Sequence, residues 1–481
     1  MNRAEEMRRE CRTLALACRG LSVFTAVAED EAARGMIALL AAAGGGAGEK
    51  AVTSAGLETV YTLYHEFYRL LADKAWDSHV LDLVLLRENR LAVLPAGAPP
   101  ALANRVREDA ARDLRTLQEL AGLDSRKIMD IISACLGESE WESGAPEWDL
   151  LAPGRWPRWS LAALAAETGA DQRVAAIAAD ADTDIAPAQT WLRAKREALK
   201  TLFYQSRDWS GLTEALLAYY REAGCGVFAD FAVFRLRENG DLEGVARPDP
   251  ITVDRLFCQE REQNIVLRNT EIFLHGLPAN NVILYGNRGT GKSSLVKALP
   301  NAYVARGLRL IQMKKTEIRC FTALTRRLAA LPHKFVLYID DLSFDETEQD
   351  YKEMKMLLEG GVEARPANVL VYATSNRKNL IRETFAERRG EEVHVRDNME
   401  EKLSLADRFG VTVTFLAPDQ NAFLQIVAGL AEREGIGVSE AELRRQALLW
   451  AQRHNARSGR SARQFIDNLR GEMALNTIEN K

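Results

Sequence analysis

The sequence predicts an α/β fold in its second half, a five-stranded parallel sheet flanked by helices and closed by a small helical region, with a mainly α-helical domain ahead of it. Three observations carry this. Up to about residue 240 apolar residues recur every three or four positions, as in Leu57, Val60, Leu63, Tyr64, Phe67, Leu70 and Leu71, which is the period of an amphipathic helix. From about residue 250 short β-branched runs alternate with helical stretches, the pattern of βαβ units. Beyond the last of these runs only helical periodicity remains.

The 481 residues suffice for about three domains of roughly 150 residues, each with its own core. Apolar residues at 47% and charged residues at 27% exclude wholesale disorder and rod-like classes. A net charge of −5 gives no polycationic field, so bulk coating of nucleic acid or attraction to a membrane surface is not expected. No apolar run reaches the length of a spanning helix, and the charged start (Arg3, Glu5, Glu6, Arg8, Arg9) is unlike a secretory signal, which predicts a cytoplasmic protein. Cys11, Cys18, Cys135, Cys225, Cys258 and Cys320 are scattered and read as reduced core residues rather than metal ligands.

Residues 1–230 are assigned to the helical domain, with room for two subdomains. Its loops fall at Gly44–Gly48, Pro95–Pro100 and Gly144–Pro157, where glycine and proline break periodic structure. Trp76, Trp141, Trp148, Trp156, Trp159, Trp191 and Trp209 lie in this half and read as core anchors, or alternatively as a binding patch. Residues 231–250 are read as a hairpin turning at Asn239-Gly240 followed by a Pro-rich linker, Arg247–Pro250. The α/β core is placed at 251–417, with strands at 282–285, 308–313, 335–340, 369–373 and 411–416, and a helical lid at 418–481.

The first core strand runs into Gly286-Asn287-Arg288-Gly289-Thr290-Gly291-Lys292-Ser293-Ser294 and then an amphipathic helix. G-x-x-x-x-G-K-S between strand and helix is a phosphate-binding loop: the glycines let backbone N–H groups and the helix N-terminus face phosphate, Lys292 reaches the β- and γ-phosphates, and Ser293 ligates Mg²⁺. The order lacks the G-x-G-x-x-G spacing of a dinucleotide site. Phe335–Ile339 ends in Asp340-Asp341, a Walker B strand in which Asp340 holds the Mg²⁺ shell. Asp341 is then either the general base for the attacking water or a structural residue, since aspartate reaches one methylene less far than glutamate.

At this point the residues resemble AAA+ ATPases. The resemblance implies a sensor 1 role for Asn376, in Thr374-Ser375-Asn376 after the strand at 369–373. It implies an arginine finger at Arg408, in Leu405–Gly410, reaching a neighbouring subunit's nucleotide. It also implies a sensor 2 arginine at Arg463 in Ser458–Ile466, with Arg460 as the alternative. Within AAA+ proteins the phrases Asn269–Leu274, the phosphate loop with its helix, Asp340–Phe344, Leu357–Gly361 and Tyr372–Arg377 are similar to a bacterial family known as domain of unknown function 815, over about residues 200–475; Lys378-Asn379 departs from it. The resemblance implies ATP and Mg²⁺ as cofactors and a homo-oligomeric ring or open ring.

Two functions remain open. One is an ATPase that remodels or assembles a macromolecular client recruited by the N-terminal domain. The other is a nucleotide-controlled switch, scaffold or loader with little turnover. Met313–Glu317 carries neither the aromatic nor the glycine of peptide-threading relatives, and Lys315–Phe335 is too short for the helix that replication initiators insert. Lys314, Lys315, Arg319, Arg326 and Arg327 either line a nucleic-acid pore or form a solvated face, the latter favoured. The mixed charges of Glu387–Lys402 suit a solvated surface or a partner surface.

Overall fold

The structure is a computed structural model. It describes residues 3–45, 54–71, 74–95, 97–135, 156–159, 185–342, 354, 358, 365–376 and 408–479. These fall into two compact units, the first spanning Met1–Asp184 and Leu192–Asp230, the second Ile185–Trp191 and Phe231–Lys481. Among the described residues no helix is long and apolar enough to cross a membrane.

The first unit is helical: α1 (Arg3–Arg19), α2 (Thr25–Glu29), α3 (Glu31–Gly44), α4 (Ser54–Leu71), α5 (Trp76–Leu86), α6 (Pro100–Ala121), α7 (Ser125–Cys135), α8 (Pro187–Gln205, from Leu192 onward), α9 (Thr213–Glu222) and α10 (Val227–Asp230). Asp30 caps α3 by accepting from the Ala32 and Ala33 amides at 3.1 Å each, and the His79 ring lies 2.9 Å from the same oxygen. Asp113, buried on α6, accepts the Ser22 and Val23 amides at 2.9 and 2.7 Å, so its charge is compensated by otherwise unpaired backbone donors. Trp76, Trp159 and Trp209 are buried with their indole N–H groups donated to the Leu120, Leu123 and Phe203 carbonyls. They are core anchors, as is buried Trp156, whereas Trp191 is only half-buried; Trp141 and Trp148 lie outside the described residues. Cys11, Cys18 and Cys225 are buried, whereas Cys258 and Cys320 are only half-buried, a departure from the expected core placement.

In the second unit a seven-stranded sheet has the order β2-β1-β4-β5-β6-β3-β7. Its strands are β1 (Val233–Leu236), β2 (Leu242–Gly244), β3 (Val282–Gly286), β4 (Leu308–Met313), β5 (Lys334–Ile339), β6 (Val369–Ser375) and β7 (Val411–Phe415). All neighbours are parallel except β1 and β2, an antiparallel hairpin pairing Phe234 with Gly244. The expected five-stranded sheet is therefore larger, and residues 233–244 are not a connector: β1 pairs along β4, Val233 beside Leu310. β6 is buried along its whole length, as parallel strands covered on both faces are.

Helices α11 (Glu260–Leu274) and α12 (Lys292–Tyr303) contribute Val266, Phe273, Leu295, Val296 and Leu299 to one core with Leu284, Val336 and Tyr372 of the sheet. The Pro-rich segment read as a linker is also anchored: Asn301 of α12 donates to the carbonyls of Asp249 and Ile251 at 3.1 and 2.7 Å and accepts the Ala188 amide at 3.2 Å. That explains why Ile185–Trp191 belongs with this unit. The lid, α14 (Gln420–Arg433), α15 (Glu440–Arg453) and α16 (Gly459–Glu479), follows α13 (Phe321–Ala329) and β7 in the chain and has its own core of Phe423, Val427, Ala447, Ala462 and Ile466.

A chain begun at residue 251 would strip the hairpin from β4 and bare a row of unpaired strand groups, a template for edge-to-edge association. We expect residues 231–481 to stay monodisperse by light scattering where residues 251–481 self-associate. Equal dispersity of the two would show that the hairpin does not protect the edge.

Candidate functional site

At the carboxyl ends of β3, β5 and β6 a cleft of about 1560 Å³ opens between the sheet and the lid. Its floor is the glycine-rich loop. Gly286 (φ 140°) ends β3 so close to β7 that a Cβ there would stand 1.9 Å from the Phe415 carbonyl oxygen. Gly289 and Gly291 also lie at positive φ, 78° and 95°, a region open to glycine at no steric cost. The loop therefore curls and delivers the chain into α12 at Lys292, and a helix N-terminus leaves its first N–H groups without intrahelical partners and presents the positive end of the helix dipole.

Arg288, Gly289, Thr290, Gly291, Lys292, Ser293 and Ser294 all line the cleft, while Gly286 and Asn287 supply the carbonyls that accept from Lys292 Nζ at 2.7 and 2.8 Å. Lys292 Nζ also donates to Asn376 Oδ1 at 3.3 Å. Burial pulls the Lys292 ammonium below its ordinary pKa, although Asp340 and Asp341 act in the opposite sense. A lysine whose folded-state pKa is depressed costs stability throughout the neutral range, and the cost is relieved only as pH rises to the ordinary lysine value. An anion entering the cleft would offset it at neutral pH.

Asp340 and Asp341 follow β5. Ser293 Oγ donates to Asp340 Oδ1 at 2.8 Å, and Thr374 Oγ1 donates to the same oxygen at 2.6 Å. Burial pushes the Asp340 carboxyl up, but these hydrogen bonds and the Lys297 charge hold it below the usual carboxylate range. Asp341 stands at φ 53°, a left-handed conformation costing a non-glycine residue on the order of 1–2 kcal/mol. The turn aims its carboxylate at the amide of Asn376, which donates Nδ2–H to Oδ1 at 2.7 Å, while Arg288 lies 4.0 Å from Oδ2. The structure thus brings together loop, Asp340, Asp341 and Asn376.

Arg408 is placed elsewhere. It precedes β7, which runs parallel to β3 with Val411 beside Val282 and Phe415 beside Gly286. It therefore lies at the opposite end of the sheet from the loop, about 16 Å away for a five-residue strand rising about 3.3 Å per residue. Arg460 and Arg463 both reach the cleft wall. Arg463 is held by Glu434 at 2.8 Å and Asp467 at 3.3 Å, and Glu434 also takes Arg470 at 2.7 Å. Arg460 instead stands over the loop, its Cβ within 3.3 Å of where a Cβ on Gly289 would be. The lid meets the loop directly there, with the Gly459 amide donating to the Gly289 carbonyl at 3.0 Å. Arg377, Lys378, Asn379, Asp407 and Glu387–Lys402 lie outside the described residues.

Three elements of the site carry no recognised motif. Thr374 is buried beneath the two aspartates, and Glu434 neutralises the expected sensor arginine. The third is the wall from Asp249 to Gln263, shaped by consecutive left-handed residues Cys258 and Gln259, φ 61° and 83°. Phe257 packs there against Gly429 of the lid with the Arg433 guanidinium 4.9 Å from its ring centre.

The chain is similar in fold to the Thermotoga maritima RuvB Holliday junction branch migration motor, at 13% identity over 45% of this chain and 72% of that one, TM-score 0.29. Two point mutants of RuvB match with the same coverage and TM-score, at 13% and 12% identity. No curated protein matches the chain. The core is a mostly parallel α/β sheet carrying a G-x-x-x-x-G-K-S loop between strand and helix, and a sequence family matches it over residues 229–473, just over half of the chain. The chain accordingly belongs to the family described as "Protein of unknown function (DUF815)".

Proposed function

We propose that this protein binds ATP with Mg²⁺ in the cleft and hydrolyses it, with neighbouring subunits completing the site, to remodel or assemble a macromolecular partner recruited through the N-terminal helical unit. The observation that carries the reading is the meeting of Ser293 Oγ and Asp340 Oδ1 at 2.8 Å beside buried Lys292 at the mouth of α12. A hydroxyl and an ionised carboxylate are the hard oxygen donors Mg²⁺ selects, so the residues fit the ion, with Ser293 and Asp340 to hold it. When bound, Mg²⁺ neutralises charge on the β- and γ-phosphates.

The chain's own groups supply the rest. Loop amides and the α12 N-terminus cradle phosphate. Lys292 exchanges its two carbonyls for phosphate oxygens. Asp341 takes the proton of the attacking water, which Asn376 orients. Arg460 approaches the phosphates from the lid, because Arg463 is neutralised by Glu434 and Asp467. Of the basic residues considered for nucleic acid, Lys314 pairs with Glu317 at 3.9 Å and Arg327 donates to the Gly240 carbonyl at 3.1 Å, which supports a solvated face over a phosphate-binding pore.

The switch reading is favoured by one observation: Asn376 donates to Asp341 itself, so the base is occupied rather than aimed at water. Titration with ATP and Mg²⁺, followed by phosphate release, tests both. Lys292→Ala should weaken binding about ten- to a hundredfold, the worth of a charge-assisted hydrogen bond of about 1.5–3 kcal/mol. In the same titration Arg460→Ala should weaken ATP binding more than Arg463→Ala. Unchanged affinity in the Lys292 variant would sink the nucleotide reading, and binding without phosphate release would leave the switch.

A further inference from the structure

Asn376, just past the end of β6, is not the only residue there that holds an aspartate. Two residues before Asn376, Thr374 is 2% exposed, and its one hydroxyl serves both Walker B aspartates. Oγ1 donates its proton to Asp340 Oδ1 at 2.6 Å and accepts the backbone N–H of Asp341 at 3.0 Å. One donor and lone pairs on a single oxygen allow both bonds at once. The carbonyl of the same residue accepts the Leu342 amide at 2.7 Å. Three consecutive positions after β5 are therefore fastened to one residue of the neighbouring strand, just where the chain turns through the left-handed conformation of Asp341.

Such a conformation persists in a non-glycine residue only when its surroundings over-determine it. Ser293 and Thr374 both donate to Oδ1 of Asp340, so neither occupies the other carboxylate oxygen. The amide bond to Thr374 fixes the turn that sends the Asp341 carboxylate toward Asn376 instead of away from the cleft. β5 and β6 are in register to the end of this run, Ile339 beside Ala373, so Thr374 lies level with the first aspartate by virtue of the sheet itself.

We propose that Thr374 is a positioning residue for both carboxylates, orienting Asp340 toward the metal site and setting the backbone turn that presents Asp341 as base; this rests on the ATPase reading above. A valine there keeps the shape of the side chain and its β-branching but deletes both hydroxyl bonds. A serine keeps the hydroxyl.

The test uses the full chain. ADP is titrated calorimetrically with and without Mg²⁺, ATP turnover is measured, and amide exchange of the 340–342 segment is followed in the nucleotide-free protein. Thr374→Val should bind ADP without Mg²⁺ as the unaltered chain does, lose about tenfold of the Mg²⁺-dependent tightening, fall at least about a hundredfold in kcat, and exchange its 340–342 amides faster. Thr374→Ser should stay within about threefold in both solution measurements. A valine variant matching the unaltered chain in Mg²⁺ dependence and exchange overturns the proposal. If valine prevents folding, the serine variant decides, because a folded serine variant that loses Mg²⁺ dependence overturns it equally. An unaltered chain that does not hydrolyse ATP would overturn the ATPase reading alone, and the exchange and ADP titrations would still judge Thr374.

Discussion

Arg408→Ala protein is expected to bind ATP as tightly as the unaltered chain and to hydrolyse it about 10³–10⁵-fold more slowly, the largest effect of any single substitution proposed for this molecule. The size follows from the role: a guanidinium fork that neutralises charge on a transferring phosphoryl group has been assigned that range. The place follows from the sheet. Arg408 precedes β7 at the end remote from Gly286, so its own cleft lies about a strand's length away, and on the proposed reading the nucleotide it would serve belongs to another subunit. Specific activity should then rise with protein concentration across the range of assembly. Mixing Arg408→Ala with Lys292→Ala chains should restore part of the activity, because some interfaces join an intact loop to an intact arginine. Constant specific activity on dilution, with no rescue in the mixture, would place the essential cation within one chain.

Asp341→Asn should lower kcat about 10²–10⁴-fold while leaving Mg²⁺-ATP affinity within about twofold, since it removes a proton acceptor and keeps the shape of the side chain. The contrast with Lys292→Ala, which loses affinity first, separates a base from a phosphate ligand. Single-turnover and equilibrium-binding measurements on the two variants read the difference. A parallel fall in affinity for Asp341→Asn would make it a metal-binding or structural residue, and a kcat already near zero in the unaltered chain would favour the switch. The Asn376 hydrogen bond to Asp341 Oδ1 sharpens the comparison: an asparagine at 341 presents either its oxygen or its NH₂ to that partner, so the loop geometry can survive the loss of charge.

What the chain announces in advance is what depends on near neighbours. Val282–Tyr285 followed by Gly286–Ser293 is legible because buried parallel strands are unbroken apolar runs and a phosphate loop needs its glycines at fixed offsets. The same holds for Phe335–Asp341 and for the strand ending at Asn376. The hairpin was legible as a hairpin from Asn239-Gly240, but not as part of the sheet, because its union with β4 joins Val233 to Leu310 across a long loop of chain. Thr374 was hidden because threonine in a strand is an ordinary β-former. Glu434 was hidden because its capture of Arg463 depends on how two lid helices pack. The cleft wall was hidden most completely, since nothing in Cys258 or Gln259 as residue types foretells two successive left-handed backbones.

The bond from the Gly459 amide to the Gly289 carbonyl has a mechanical consequence. It ties the base of the 21-residue helix α16 to the apex of the loop that meets phosphate. At 1.5 Å per residue that helix is about 31 Å long, and the shared core of Phe423, Val427, Ala447 and Ile466 obliges its two companions to turn with it. The geometry is that of a lever with a short input arm: a tilt of about 10° imposed at the loop carries the far end through about 5 Å. A tilt of that size would carry the far end of α16 through about the rise of one helical turn.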